Sequence, residues 1–136
     1  MKAISIRAPW WWCILHAGKR IENRHLGFPR YTGPILLHAS STWVKRDVLG
    51  TLENLHAEGQ ISRDVFGQLG PMREAGGHVV GTAVVVRAEP NGRYPDDYWA
   101  ADEQLGLWLT AVRELTPHVK AKGQQGLFNL EGIAVR

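Results

Sequence analysis

The 136-residue chain has one cysteine, Cys13. No internal disulfide can form and no cysteine-based zinc cluster can be built, which fits a reducing compartment. No stretch approaches the roughly eighteen apolar residues that a membrane-crossing helix needs. The opening "MKAISIRAPW" lacks the apolar run of a signal peptide, so a cytoplasmic protein without a membrane partner is expected. The histidines, at 16, 25, 38, 56, 78 and 118, show no close metal-ligand spacing, and neither a metal nor a cofactor is expected. The glycine pair of "GGHVVG" precedes a strand-like run and lacks the Gly-x-x-x-x-Gly-Lys-Ser/Thr pattern of a phosphate loop. Repeats and low-complexity segments are absent. With 44% hydrophobic and 21% charged residues the composition is that of an ordinary globular chain, and one domain over residues 1–136, a monomer, is expected.

The charge that is present is unevenly placed. Residues 1–30 carry Lys2, Arg7, Lys19, Arg20, Arg24 and Arg30 against Glu22, a balance of +5. Residues 31–116 come to −4, and residues 117–136 to +2, from Lys120, Lys122 and Arg136 against Glu131. If folding brings the two basic ends together they form one positive patch suited to nucleic acid. Otherwise they are scattered, solvated charge.

"KAISIRA" alternates in the manner of a half-buried strand. Pro9 suits a helix start and Gly18 a helix stop. "GPILLHAS" reads as a buried strand. "STWVKRDVLGTLENLHAEG" reads as a helix capped by Ser41 or Thr42 and ended by Gly59, with Trp43 packing it onto the strands. "SRDVFGQLG" suits a short helix, and "GHVVGTAVVVRAEP" is β-branched strand. In "LGLWLTAVREL" the alternation favours strand over helix. "GQQGLFNLEGIAV" reads as a last strand bent at Gly132, and "PDDYWAADEQ" as a surface loop. Strands surround two or three helices without βαβ alternation, which predicts an α+β fold on a small mixed barrel.

Three consecutive tryptophans, Trp10, Trp11 and Trp12, cannot share one face of a helix whose residues are set about 100° apart. Trp10, Cys13, Ile14 and Ala17 form an apolar stripe, which predicts Trp10 in the core. Trp12 falls on the line of His16 and Lys19. It either packs under a loop or offers a stacking face to an unstacked base. In "GKRIENR", Lys19 and Arg24 can pair with phosphate. Glu22 can accept from a base amino group or a 2′-hydroxyl, and Asn23 offers a donor and an acceptor. As a plain surface strand, the same charges would form ion pairs worth about 0–1 kcal/mol each.

Taken in order, these pieces resemble the ASCH (activating signal cointegrator homology) domain of the PUA-like superfamily. "SIRAPWWWCILHAGKRIENR" is similar to its opening motif, with Pro9, Trp10, Lys19, Glu22 and Arg24 in register and the glycine, Gly18, directly before the lysine. "GPILLHAS", with His38 and Ser40, resembles its second strand, "HVVGTAVVV" its central strand, and "LWLTAVREL" with "PHVKAKGQQGLFNL" its closing pair. The resemblance implies a PUA-like mixed β-barrel with flanking helices. It implies a basic cleft where residues 19–24 meet residues 118–128, and binding of RNA or a modified nucleotide. With Trp12 added from its place on the helix, the candidate contact residues are Trp12, Lys19, Glu22, Asn23, Arg24, His38, Ser40, Lys120 and Lys122. It also implies an alternative, a hydrolase. One form is a metal-independent ribonuclease, in which Lys19 neutralises the transition state and Glu22 or His38 acts as base toward a 2′-hydroxyl. The other is an N4-acetylcytidine-type amidohydrolase using Lys19. That branch carries a threonine three residues after the lysine, where this chain has Glu22.

Overall fold

Ile4 and Ile6 point into the main core from the first strand, β1 (Lys2–Ile6), as alternation requires. Ala3, on the opposite face, is also buried, beneath Phe128 in a second small cluster with Leu36, Val79 and Leu115. The computed structural model describes residues 1–134. After β1 come α1 (Trp10–His16), β2 (Ile21–Arg24), β3 (Gly33–Ala39) and α2 (Lys45–Ala57). A 3-10 turn (Arg63–Gln68) leads into α3 (Leu69–Glu74), followed by β4 (His78–Pro90), β5 (Leu105–Lys120) and β6 (Leu127–Asn129). The fold is α+β. Among the described residues, no helix is long and apolar enough to cross a membrane.

The six strands form one mixed sheet in the order β2-β5-β4-β3-β1-β6, with β1 parallel to β3 and every other pair antiparallel. The long β4–β5 ladder shifts register between Val79 and Gly81, Thr82 and Val84, and Val85 and Arg87. Each such bulge adds twist and bends the strand, and together they curl the sheet into a half-barrel. Gly81 stands at one of these bends. A Cβ there would come within 2.6 Å of the Arg113 carbonyl and 2.8 Å of Leu15, so α1 could not lie so close over β4 with any other residue. The outer strands, β2 and β6, do not pair with each other. The curl instead turns β2 toward β1, and the Arg24 guanidinium crosses the gap to the Ser5 carbonyl at 2.8 Å. The helices cover the concave core through Ile14, Val48, Leu52, Leu55 and Met72.

Three sequence expectations need correction. In α1 the buried residues are Trp11, Cys13 and Ile14, whereas Trp10 is 37% exposed. The stripe through Trp11, Ile14 and Leu15 fits helical spacing as well as the one through Trp10, and a run of identical side chains carries no phase information. Helix α2 begins at Lys45 behind Val44, with no side-chain cap, so neither Ser41 nor Thr42 caps it; it does end just before Gly59, whose φ is +75°. The last strand is only three residues long, because residues 121–126 run as a loop before it; the expected strand end at Val135, like the charge of Arg136, lies outside the described residues. "LGLWLTAVREL" is strand throughout, with Leu105, Leu107 and Leu109 in the core.

Candidate functional site

The site starts at the end of α1. Gly18 adopts φ +72°, which lets the Ala17 and Lys19 amides both turn back to the Cys13 carbonyl, at 2.9 and 3.2 Å. Arg20 closes the helix end by donating to the Ile14 and Lys19 carbonyls. Because the turn sits directly before it, Lys19 is thrown inward and is 2% exposed. Its ammonium donates to the Ile21 carbonyl and lies 3.3 Å from Glu22 Oε1. The other carboxylate oxygen of Glu22 is held by Arg24, whose Nε donates at 3.1 Å. The motif is therefore a buried Lys19–Glu22 pair continued by the half-buried Arg24, and not a row of surface pairs. Cys13 beneath it is inert, since burial pushes its thiol up to about 12 against the opposing charge of Lys19.

Where the edge of β2 faces β1, a cleft of about 1050 Å³ opens. Arg7, Arg24 and His25 line one side of it, and Lys120, Lys122 and the 121–126 loop line the other. The basic ends of the chain thus meet. The backbone amides of residues 122–125 have no acceptor among the described residues. Trp10 stands between this cleft and a second cavity of about 390 Å³, lined also by Lys19, Leu55, Tyr98 and Trp99. Glu22, Asn23 and Gln104 border both cavities. The Lys19 ammonium lies 5.7 Å from the Trp10 ring centroid, a cation–π contact.

Asn23 does structural work. Its nitrogen donates to the Trp99 carbonyl at 2.9 Å, and its oxygen accepts from Asn91 Nδ2 at 2.7 Å and the Ala101 amide at 3.1 Å. It thereby pins the loop that carries Tyr98 and Trp99. The loop lies at the surface, as the sequence indicates, and in addition it walls a cavity. The available signal was the adjacent aromatic pair in "PDDYWAADEQ".

On the far wall, His38 is 1% exposed. Its Nε2 is 2.7 Å from the Ala121 carbonyl and its Nδ1 is 3.0 Å from Ser5 Oγ. A carbonyl only accepts, so Nε2 carries the proton and Nδ1 accepts from the Ser5 hydroxyl. Burial lowers the pKa of His38 below its ordinary 6.5; the bond to Ala121 opposes this, and the charge of His78 adds to it. A β3–β4 register shift falls between Leu37 and His38, the kind of bulge that re-aims a side chain. Gly123 lies on the imidazole, and a Cβ there would stand 2.5 Å from His38 Cε1.

Glu22, Asn23, Arg24, His38, Ser40, Lys120 and Lys122 line the large cleft together. The Ser40 hydroxyl also accepts from the Thr42 amide at 3.2 Å. Lys19 borders only the smaller cavity, so Lys19 and His38 open to different spaces, with Glu22 between them. Trp12 lines neither cavity and packs on His16, ring centroids 5.1 Å apart; Trp10 takes the position expected of it. No protein-family model matches the chain, and no curated protein sequence matches it.

Proposed function

We propose that this chain is a PUA-like domain of the ASCH type that binds single-stranded RNA or a modified nucleotide. The observation that carries the reading is the pair of adjoining cavities that meet at Trp10, one cationic and open, the other small and aromatic. Phosphate suits the first, where Lys120, Lys122 and the amides of residues 122–125, without an acceptor among the described residues, offer charge and donors. An unstacked base suits the second, between Trp10, Tyr98 and Trp99. The Gln104 side chain, at the junction and without a hydrogen-bond partner among the described residues, can read a base edge as donor and acceptor. The resemblance of the opening motif supports the same reading.

The test is a titration of labelled single-stranded RNA at several salt concentrations. Affinity falls as salt rises, and Trp10→Ala weakens binding by about 1–3 kcal/mol, one lost base stack. Absence of binding at low salt, or wild-type affinity in Trp10→Ala, sinks the proposal. The hydrolase alternative built on Lys19, ribonuclease or N4-acetylcytidine-type amidohydrolase, ranks second. The Lys19 ammonium is already engaged by Glu22 and the Ile21 carbonyl.

A further inference from the structure

Ser5 and His38 have a geometry that a binding module does not require. The hydroxyl is 3.0 Å from Nδ1, the opposite ring nitrogen is fixed by the Ala121 carbonyl at 2.7 Å, and both side chains face the large cleft. A nucleophile within reach of a base, with the base oriented by a third group, is the signature of covalent catalysis. We propose that Ser5 is the nucleophile and His38 the general base of an esterase site, acting on carboxylic esters whose remainder carries a phosphate. This goes beyond the binding reading and does not depend on it.

The surroundings supply the remaining parts. Gly123 lies against both members of the pair, a Cβ there falling 3.2 Å from Ser5 Oγ, and brings over them the loop whose amides at 122–125 have no acceptor among the described residues. Arg24 donates to the Ser5 carbonyl at 2.8 Å, which sets a guanidinium beside the serine. The loop amides suit a developing oxyanion, and Arg24, already held by Glu22 and the Ser5 carbonyl, adds positive potential. Lys120 and Lys122 on the rim favour an anionic substrate. Burial keeps the His38 imidazole neutral and able to take a proton.

The chemistry balances without a further reactant except water. Ser5 Oγ bonds to the ester carbonyl carbon as its proton passes to His38 Nδ1. The tetrahedral oxyanion collapses, the bond to the leaving alcohol breaks, and that oxygen takes the proton from Nδ1. Water then attacks the acyl-serine and gives a proton to Nδ1. Ser5 Oγ departs with that proton, leaving the carboxylic acid. The other proton stays on Nε2 throughout, donated to the Ala121 carbonyl.

The experiment treats the full chain with a fluorophosphonate probe, maps the labelled peptide by mass spectrometry, and follows hydrolysis of p-nitrophenyl acetate and 4-acetoxyphenyl phosphate. The expected result is labelling at Ser5, a higher kcat/KM for the phosphate-bearing ester at low salt, and turnover at least about a hundredfold lower in Ser5→Ala. Circular dichroism checks that Ser5→Ala is folded, and labelling of the unaltered chain needs no variant. Absence of label on Ser5, or a Ser5→Ala rate within about twofold of the unaltered chain, overturns the site. Equal or greater kcat/KM for the neutral ester overturns the substrate class.

Discussion

Replacing Glu22 with glutamine would leave the Lys19 and Arg24 cations together without their shared counter-charge, in a place where Lys19 is nearly sealed from water. Loss of one partner from a buried ionic cluster costs about 3–5 kcal/mol, and urea denaturation of Glu22→Gln should show a loss of that order. His38 gives a second test. Unfolded, it titrates near about 6.5, while in the fold its pKa is lower, so between the two values the unfolded chain binds more protons. Its contribution to stability is therefore intact above about pH 6.5 and is lost as pH falls through the folded value. Denaturation midpoints measured from neutral to mildly acidic pH should fall less steeply in His38→Gln. The same series in His78→Gln separates the neighbouring charge, which acts on His38 in the same direction.

Helix α1 shows what could be read in advance and what could not. Pro9, Gly18 and the apolar spacing locate the helix, but three tryptophans in a row leave its rotation open, and the core took Trp11. Trp11→Ala should cost about 3–5 kcal/mol in thermal or chemical denaturation, the scale of an emptied aromatic core site, with Trp10→Ala costing much less. The strands were legible because β-branched runs and alternation are local signals: β3, β4 and β5 lie where the sequence put them. The second cavity was not, because Asn23 reaches its loop across 76 residues of sequence, and no local pattern announces a contact of that range. The burial of Lys19 and Glu22 escaped for a similar reason. Charged residues are rarely buried unless paired, and the pairing depends on the αL turn at Gly18.

Charge uneven along the chain becomes charge concentrated in space once the sheet curls. Lys120 and Lys122 are exposed and border the cleft, whereas the Lys19 ammonium is spent inside the protein. Phosphate contacts should therefore come from the closing end of the chain. Plots of log affinity for single-stranded RNA against log salt should lose about 0.7 units of slope in Lys122→Ala, the share of one phosphate contact. Lys120→Ala should behave in the same way. An unchanged slope in both variants would place the phosphates elsewhere.

The strand order has a consequence for how the protein is made. Strand β1 is made before strands β2 to β6, yet it lies between β3 and β6, and its Ser5 waits for a loop at 121–126. On the ribosome the cleft has no second wall until residues 121–129 have emerged, and until then β1 keeps one edge open. Such distant pairing makes folding slow, and open edges invite association with other chains. A nascent chain halted before residue 121 should thus be ligand-blind and prone to clump, and the capacity to bind should arise abruptly, once residues 121–129 are clear of the ribosome.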